Sequence, residues 1–432
     1  MLDLAYSFFQ HSQQAMQGDL MAVVLPQEHY AKVLEEPFGL AALLNGERYA
    51  GSNRYMIHEA LYLYYNHVPQ LLHAFFDPVE SLYIATAFFK TMLQLGLCLL
   101  LAAYAFGAFA LRDGRFWAIA LCMAAFFQTL GFRSQMGIID PSIVYTFFYA
   151  LPLGLLLLFF YPWYRLVVFG KKDEKLMPGW LYPVWTLLAL FLAFSGPLVP
   201  PLAVMFGGIL LLYAFWQKQH RASWLLFLYT NQPVQPLYRH LQCRKCRRPF
   251  PPERCTPPAW PERNDAEQAR LAAAFARAGA GRMAISQPGA APPISRSGQS
   301  LCSLRVSCWF TCCCCRWRLP AYRPNIVRYD TFMPVTFFVL IALGSLAYRV
   351  ILAKKRPAYF VVSGLLLVIF WNADRPKNAR ECEYTALKSM LQSGEVLFPE
   401  NCSVLSWKPV TDGYEREGIV QILGRWGILE EK

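Results

Sequence analysis

Apolar residues in this chain are gathered into long blocks rather than spread at the period of a surface helix or strand. Between residues 82 and 216 five such blocks stand at about 84–111, 116–131, 142–168, 180–195 and 198–216, divided by short polar breaks. At a rise of 1.5 Å per residue, roughly 20 apolar residues cross a hydrocarbon core of roughly 30 Å. The third block, Ser142 to Tyr164, exceeds that length and ends on Tyr161, Trp163 and Tyr164, whose amphipathic rings prefer the headgroup level. A sixth block begins at 222–230, and two more stand at 331–353 and 358–371. The pattern predicts an all-α fold: a polytopic transmembrane helical bundle, with interfacial N-terminal helices and a small polar C-terminal tail.

The polar breaks set the orientation. Arg112–Arg115, Lys171–Lys175 and Lys218–Arg221 are basic, whereas 132–141 and 196–201 are not. Basic and non-basic breaks alternate, as the positive-inside rule requires, so the basic ones are expected in the cytoplasm. The expected location is a bacterial inner (plasma) membrane, with residues 1–81 and 372–432 extracytoplasmic. Residues 1–81 hold no spanning block and no signal peptide, because Asp3, His11 and Asp19 interrupt the candidate run. An outer segment of that length without a signal implies a further span upstream of Met1. Within it, Tyr55–Phe76 mixes aromatic and polar residues and suits a helix lying in the membrane interface. His29, His58, His67 and His73 follow no ligand spacing and read as interfacial.

The expected organisation is therefore 1–81, an interfacial segment; 82–230, a helical block; 243–318, an anomalous segment; 319–371, a second hairpin; and 372–432, a tail of mixed α/β character. The anomalous segment is rich in Arg, Pro, Ala and Cys and lacks apolar periodicity. It holds nine of the 13 cysteines, including the run Cys312 to Cys315. A leucine run written in CTG codons reads as cysteine one nucleotide on, so a frame-shifted translation of further spans explains it. Parity agrees, since an even number of spans is needed between 230 and 331. A genuine cytosolic or disordered insert is the alternative.

Composition changes this picture little. The chain is 56% hydrophobic, far above a soluble domain. Its net charge of +13 falls to +4 outside 244–318, so a nucleic-acid partner is not expected. The expected partner is the lipid bilayer. Cys243 and Cys246 form half of a zinc motif, but the second pair is missing, so no metal is expected. No phosphate loop, dinucleotide fingerprint or nucleophile elbow occurs, and no cofactor is expected. Cys382 and Cys402 are the only cysteines of the tail, and an outer compartment permits a disulfide between them.

Charged residues on the expected outer side supply the candidate site. Arg133, Asp140, Arg323, Arg328, Asp330 and Asp374 fall at one rim, with Asp19, Arg48, Arg54, Asn325 and Asn372 beside them. Arginines opposite carboxylates there suit bidentate binding of a phosphate or pyrophosphate headgroup. Solvated loop charges are the plainer reading of any one of them.

Three stretches carry a resemblance: Gln135–Ser142, Tyr322–Pro334 and Asn372–Pro376. They resemble multi-pass bacterial inner-membrane proteins of unassigned activity. The layout is also similar to that of the GT-C glycosyltransferases, membrane enzymes that take a polyprenyl-phosphate sugar donor. That resemblance implies Asp19, in Gly18-Asp19, as catalytic base or metal ligand. It also implies that Arg133, Arg323 and Arg328 hold the phosphate of a polyprenyl-phosphate or other lipid-linked substrate. The second acid of that family's motif and the preceding span are missing. A non-enzymatic transporter or assembly partner is the rival expectation.

Overall fold

The computed structural model describes residues 2–16, 19–26, 28–37, 39–46, 52–127, 138–169, 177–216, 329–352, 356–373, 379–396, 398–406, 408–411 and 413–429. All of them belong to one unit, and the anomalous segment 243–318 lies outside them. Fourteen helices organise it among the described residues. These are α1 (Leu2–Ser12), α2 (Asp19–Val24), α3 (Glu28–Glu35), α4 (Leu40–Leu44), α5 (Tyr55–Leu72), α6 (Pro78–Phe106) and α7 (Gly114–Phe127). Then come α8 (Ile143–Val168, counting its central π-turn), α9 (Tyr182–Ala193), α10 (Val199–Trp216), α11 (Tyr329–Leu352), α12 (Arg356–Ala373), α13 (Glu381–Ser393) and α14 (Gly413–Arg425). No strand occurs among the described residues, so the tail expected to be mixed α/β is two helices instead. Apolar residues of that tail fall at helical spacing, Ala386-Leu387-Met390 and Ile419-Ile422-Leu423, and all six are buried.

Four helices are long and apolar enough to cross a membrane: Pro78–Phe106, Ile143–Val168, Val199–Trp216 and Met333–Val350. Three expected spans fall on shorter apolar helices, Gly114–Phe127, Gly179–Ala193 and Phe360–Asn372. Local signals fix the ends of α6. Asp77 accepts from the amides of Val79 and Glu80, both at 3.1 Å, and Pro78 takes the first helical position. The helix therefore starts six residues before the apolar block does. It stops at Gly107, whose φ of 88° is left-handed and whose amide reaches the Ala103 carbonyl. A Cβ there would meet the Phe169 ring at 2.9 Å, so Gly107 ends the helix and admits its neighbour.

Two cores divide the molecule. One gathers α6, α7, α8, α10 and α11, with Phe160, Phe206 and Phe338 stacked in series. The other is built from α2, α5, the start of α6, the start of α8, and the tail helices α13 and α14. Trp426, fully buried, donates to the Tyr65 carbonyl at 3.0 Å across 361 residues of sequence. The N-terminal segment and the tail thus share one core over the first turns of α6. The expected interfacial helix, now α5, buries Ile57, Leu61, Tyr65 and Pro69 in that core.

Candidate functional site

α6 carries a polar stripe on an otherwise apolar helix. Thr86, Lys90 and Gln94 recur every fourth residue, which places them on one face, and all are buried. Lys90 is fully buried, and its ammonium donates to Gln14 Oε1 at 2.7 Å and to the Pro141 carbonyl. Gln94 donates to Ser7 Oγ at 2.9 Å, and its Oε1 lies 3.4 Å from His11 Nε2. At the far end of the stripe Tyr65 and Thr86 share a hydroxyl contact of 2.6 Å. A charged group at such a position is costly unless it is paired, and Lys90 has both acceptors and a nearby carboxylate, Asp140.

Asp140 is the sequence-predicted residue that joins this seam. It is buried, and its Oδ1 accepts from the amide of Ser142 at 2.7 Å, which holds the turn that feeds α8. Asp19 heads α2, a helix packed against α5, α14 and the first turn of α8. Asp330 is the second residue of α11. Arg133, Arg323, Arg328 and Asp374 lie outside the described residues. Cys382 and Cys402, 20 positions apart in sequence, are joined in a disulfide with Cα atoms 6.0 Å apart.

A second buried group ties the tail to the seam's upper end. Glu383 accepts from the amides of Met16 and Leu405 at 2.7 and 2.8 Å, and from the Tyr83 hydroxyl at 2.9 Å. Burial raises its carboxyl to about 7 in spite of those three donors, each of which favours the charged form. Nearby, Lys388 donates to Asp77 at 2.6 Å, and Arg380 lies over the Tyr83 and Tyr384 rings at 4.9 and 4.8 Å. Partial burial works against the Asp77 carboxylate, but Lys388 and the first amides of α6 outweigh it and hold that carboxyl below its usual range.

A narrow apolar cleft, open to the outside, lies where α8, the turn between α9 and α10, and the start of α11 meet. Its walls include Phe148, Tyr149, Leu153, Leu198, Leu202 and Met333. Three segments expected on one side of the membrane converge there: the start of α8, Gly196-Pro197, and the turn of α11 just after Asp330. A π-turn over Thr146–Ala150 shapes the wall. Pro152 has no amide to give the Phe148 carbonyl, and the wider turn absorbs the missing bond. That carbonyl faces the turn, 3.8 Å from where a Cβ on Gly196 would stand. Arg54, exposed, sits over the ring of the wall residue Phe148 at 5.7 Å, and His58 meets the same ring edge-on. Burial, above all, holds His58 below its ordinary range, so the cation beside Phe148 is Arg54.

Sequence reading missed Lys90, Gln94, His11 and Glu383. The signal was a spacing: Ser7 and His11 on one face of α1, with Gln14 just after it, answer Lys90 and Gln94 on a face of α6. Among the described residues, no cluster of three or more His, Cys, Asp or Glu is arranged to hold a metal. Comparison with family models, with curated proteins and with solved structures gives no match, so the reading of function rests on this geometry alone.

Proposed function

We propose that the chain is a multi-pass integral membrane protein of the bacterial inner membrane that holds a lipid-linked substrate on the outer side, in cell-envelope glycan metabolism. The observation that carries the reading is the cleft beside the π-turn. It is lined by apolar side chains of α8, α10 and α11, each apolar enough to span, and Arg54 lies over the ring of one lining residue, Phe148. An amphiphile with a polyprenyl chain and a phosphate headgroup matches both features: the chain removes apolar wall from water, and the phosphate meets the guanidinium. On this reading the N-terminal segment and the tail are extracytoplasmic, and the Cys382–Cys402 disulfide fits an oxidising compartment. Arg133, Arg323, Arg328, Asp330 and Asp374 would line the headgroup side with Asp140, and Asp19 would act as catalytic base in a GT-C-like transfer. A transport role draws on one observation, the π-turn that interrupts α8.

Native mass spectrometry of the full chain in mild detergent tests the substrate class, with a long-chain polyprenyl phosphate, the matching neutral polyprenol and a water-soluble short-chain phosphate as probes. The expected result is retention of the long-chain phosphate, at least about tenfold weaker in Leu202→Trp, which fills the cleft. Arg54→Ala is expected to erase the preference for phosphate over polyprenol. Binding unchanged in Leu202→Trp removes the cleft from the reading. Sugar transfer from a lipid-linked donor then tests Asp19: activity that survives Asp19→Asn denies it the role of base.

A further inference from the structure

Helix α1 is folded inside out. Its buried face is polar: Asp3, Ser7, Gln10 and His11 are all 9% exposed or less. Its outward face is apolar, with Leu2 81% and Phe9 52% exposed and Ala5 open between them. The two sets recur at helical spacing, 3-7-10 against 2-5-9, so the inversion belongs to the whole helix. A helix on the surface of a protein in water does the opposite. The polar face is matched rather than merely hidden. Asp3 accepts from Trp371 Nε1 at 2.9 Å, Ser7 and His11 meet Gln94, and Gln14, just beyond the helix, meets Lys90.

The outward face does not stand alone. Trp371, near the end of α12, receives the Tyr6 hydroxyl on its carbonyl at 3.0 Å, so α1 and α12 adjoin. α12 is inverted in the same sense: Ser363 is buried, whereas Val361, Leu365, Val368 and Ile369 are each more than half exposed. On α6, Phe88 and Met92 are exposed on the side away from the polar stripe. All three helices therefore show water-avoiding faces outward, and α1 places its hydrogen-bonding groups against α6 and α12. This is the arrangement a hydrocarbon solvent demands.

We infer that α1 is a membrane-embedded half-helix, with Leu2, Ala5 and Phe9 against lipid chains and its polar face seated on the Lys90–Gln94 stripe of α6. Its 11 residues span about 16 Å, near half of a hydrocarbon core. It enters the bilayer beside the spans without crossing it. The inference rests on the reading of the chain as an integral membrane protein, and it adds that the N-terminal segment is partly intramembrane rather than wholly interfacial.

The full chain, reconstituted in phosphatidylcholine vesicles with a diazirine-bearing phospholipid, tests this when irradiated and mapped by mass spectrometry beside hydroxyl-radical footprinting. The expected result is lipid adducts on Leu2–Phe9 and on α12 at Leu365–Ile369, with neither stretch oxidised. Phe9→Glu is expected to lower the α1 adducts at least about tenfold and leave those on α12 unchanged. Adducts on α12 with an oxidised α1 overturn the inference and leave the membrane reading standing. An α1 neither labelled nor oxidised is covered by protein, a second copy or another part of the chain, and also overturns it. Absence of adducts on α12 as well as on α1 removes the membrane reading itself.

Discussion

Lys90 holds three parts of the chain at one atom: its own helix, the segment after α1 through Gln14, and the turn before α8 through Pro141. Its nearby carboxylate, Asp140, is buried as well. Breaking a buried charge pair from one side leaves the other charge uncompensated, which costs more than the intact pair contributes. Lys90→Met is therefore expected to destabilise the protein by roughly 3–5 kcal/mol. Adding Asp140→Asn should recover a large part of that loss. Thermal unfolding of the two variants in the same detergent measures the difference, and equal melting of wild type and Lys90→Met would deny the seam its holding role. Asp140 was legible in the sequence as a charge at a rim. Lys90 was not, because one lysine in an apolar run reads as an interruption, and its partner Gln14 lies 76 residues away.

Among the elements, helix contact is set by small residues as much as by large ones. Gly344 of α11 approaches so closely that a Cβ there would stand 2.8 Å from Ala105 Cβ and 2.9 Å from Met123 Cε. Gly364 of α12 meets nothing within 4 Å. Overpacking a closed contact typically costs about 1–3 kcal/mol, whereas a side chain in open space costs little. Gly344→Leu should thus lower the melting temperature of the full chain, and Gly364→Leu should leave it near wild type. Equal effects of the two would show that the α6–α7–α11 contact does not limit stability. The apolar blocks gave away the position of the four helices long and apolar enough to span, since a run of that length has few other uses. They were silent about α1 and α13, where apolar residues are interleaved with polar ones and the buried faces are partly polar. The start of α6 was readable in Asp77-Pro78-Val79-Glu80, a capping signature just upstream of the apolar block.

For the whole molecule, the tail is the keystone of the second core, and its stability answers to pH through Glu383. The unfolded carboxyl titrates near 4.5 and the folded one near 7. Below pH 4.5 both states are protonated. Between the two values the folded chain holds more protons, so stability falls as pH rises through this window, by up to about 3 kcal/mol, and levels above it. Subtracting the stability of Glu383→Gln, both followed by tryptophan fluorescence during thermal unfolding, isolates this group. A difference that stays constant across the window would mean that Glu383 does not change its proton on folding. The pairing of Cys382 with Cys402 was legible because the tail has no other cysteine. The joining of tail to N-terminal segment was not, since nothing local in either stretch names the other.

A ribosome releases α1 long before any of the groups that satisfy its inner face exist. Gln94 follows Ser7 by 87 residues, and Trp371 follows Asp3 by 368. Until then those side chains stay wet, so on the inference that α1 is a membrane half-helix it waits at the bilayer surface. On that inference its seat is completed only when Trp371 has been made, so the insertion of α1 follows that of helices synthesised after it.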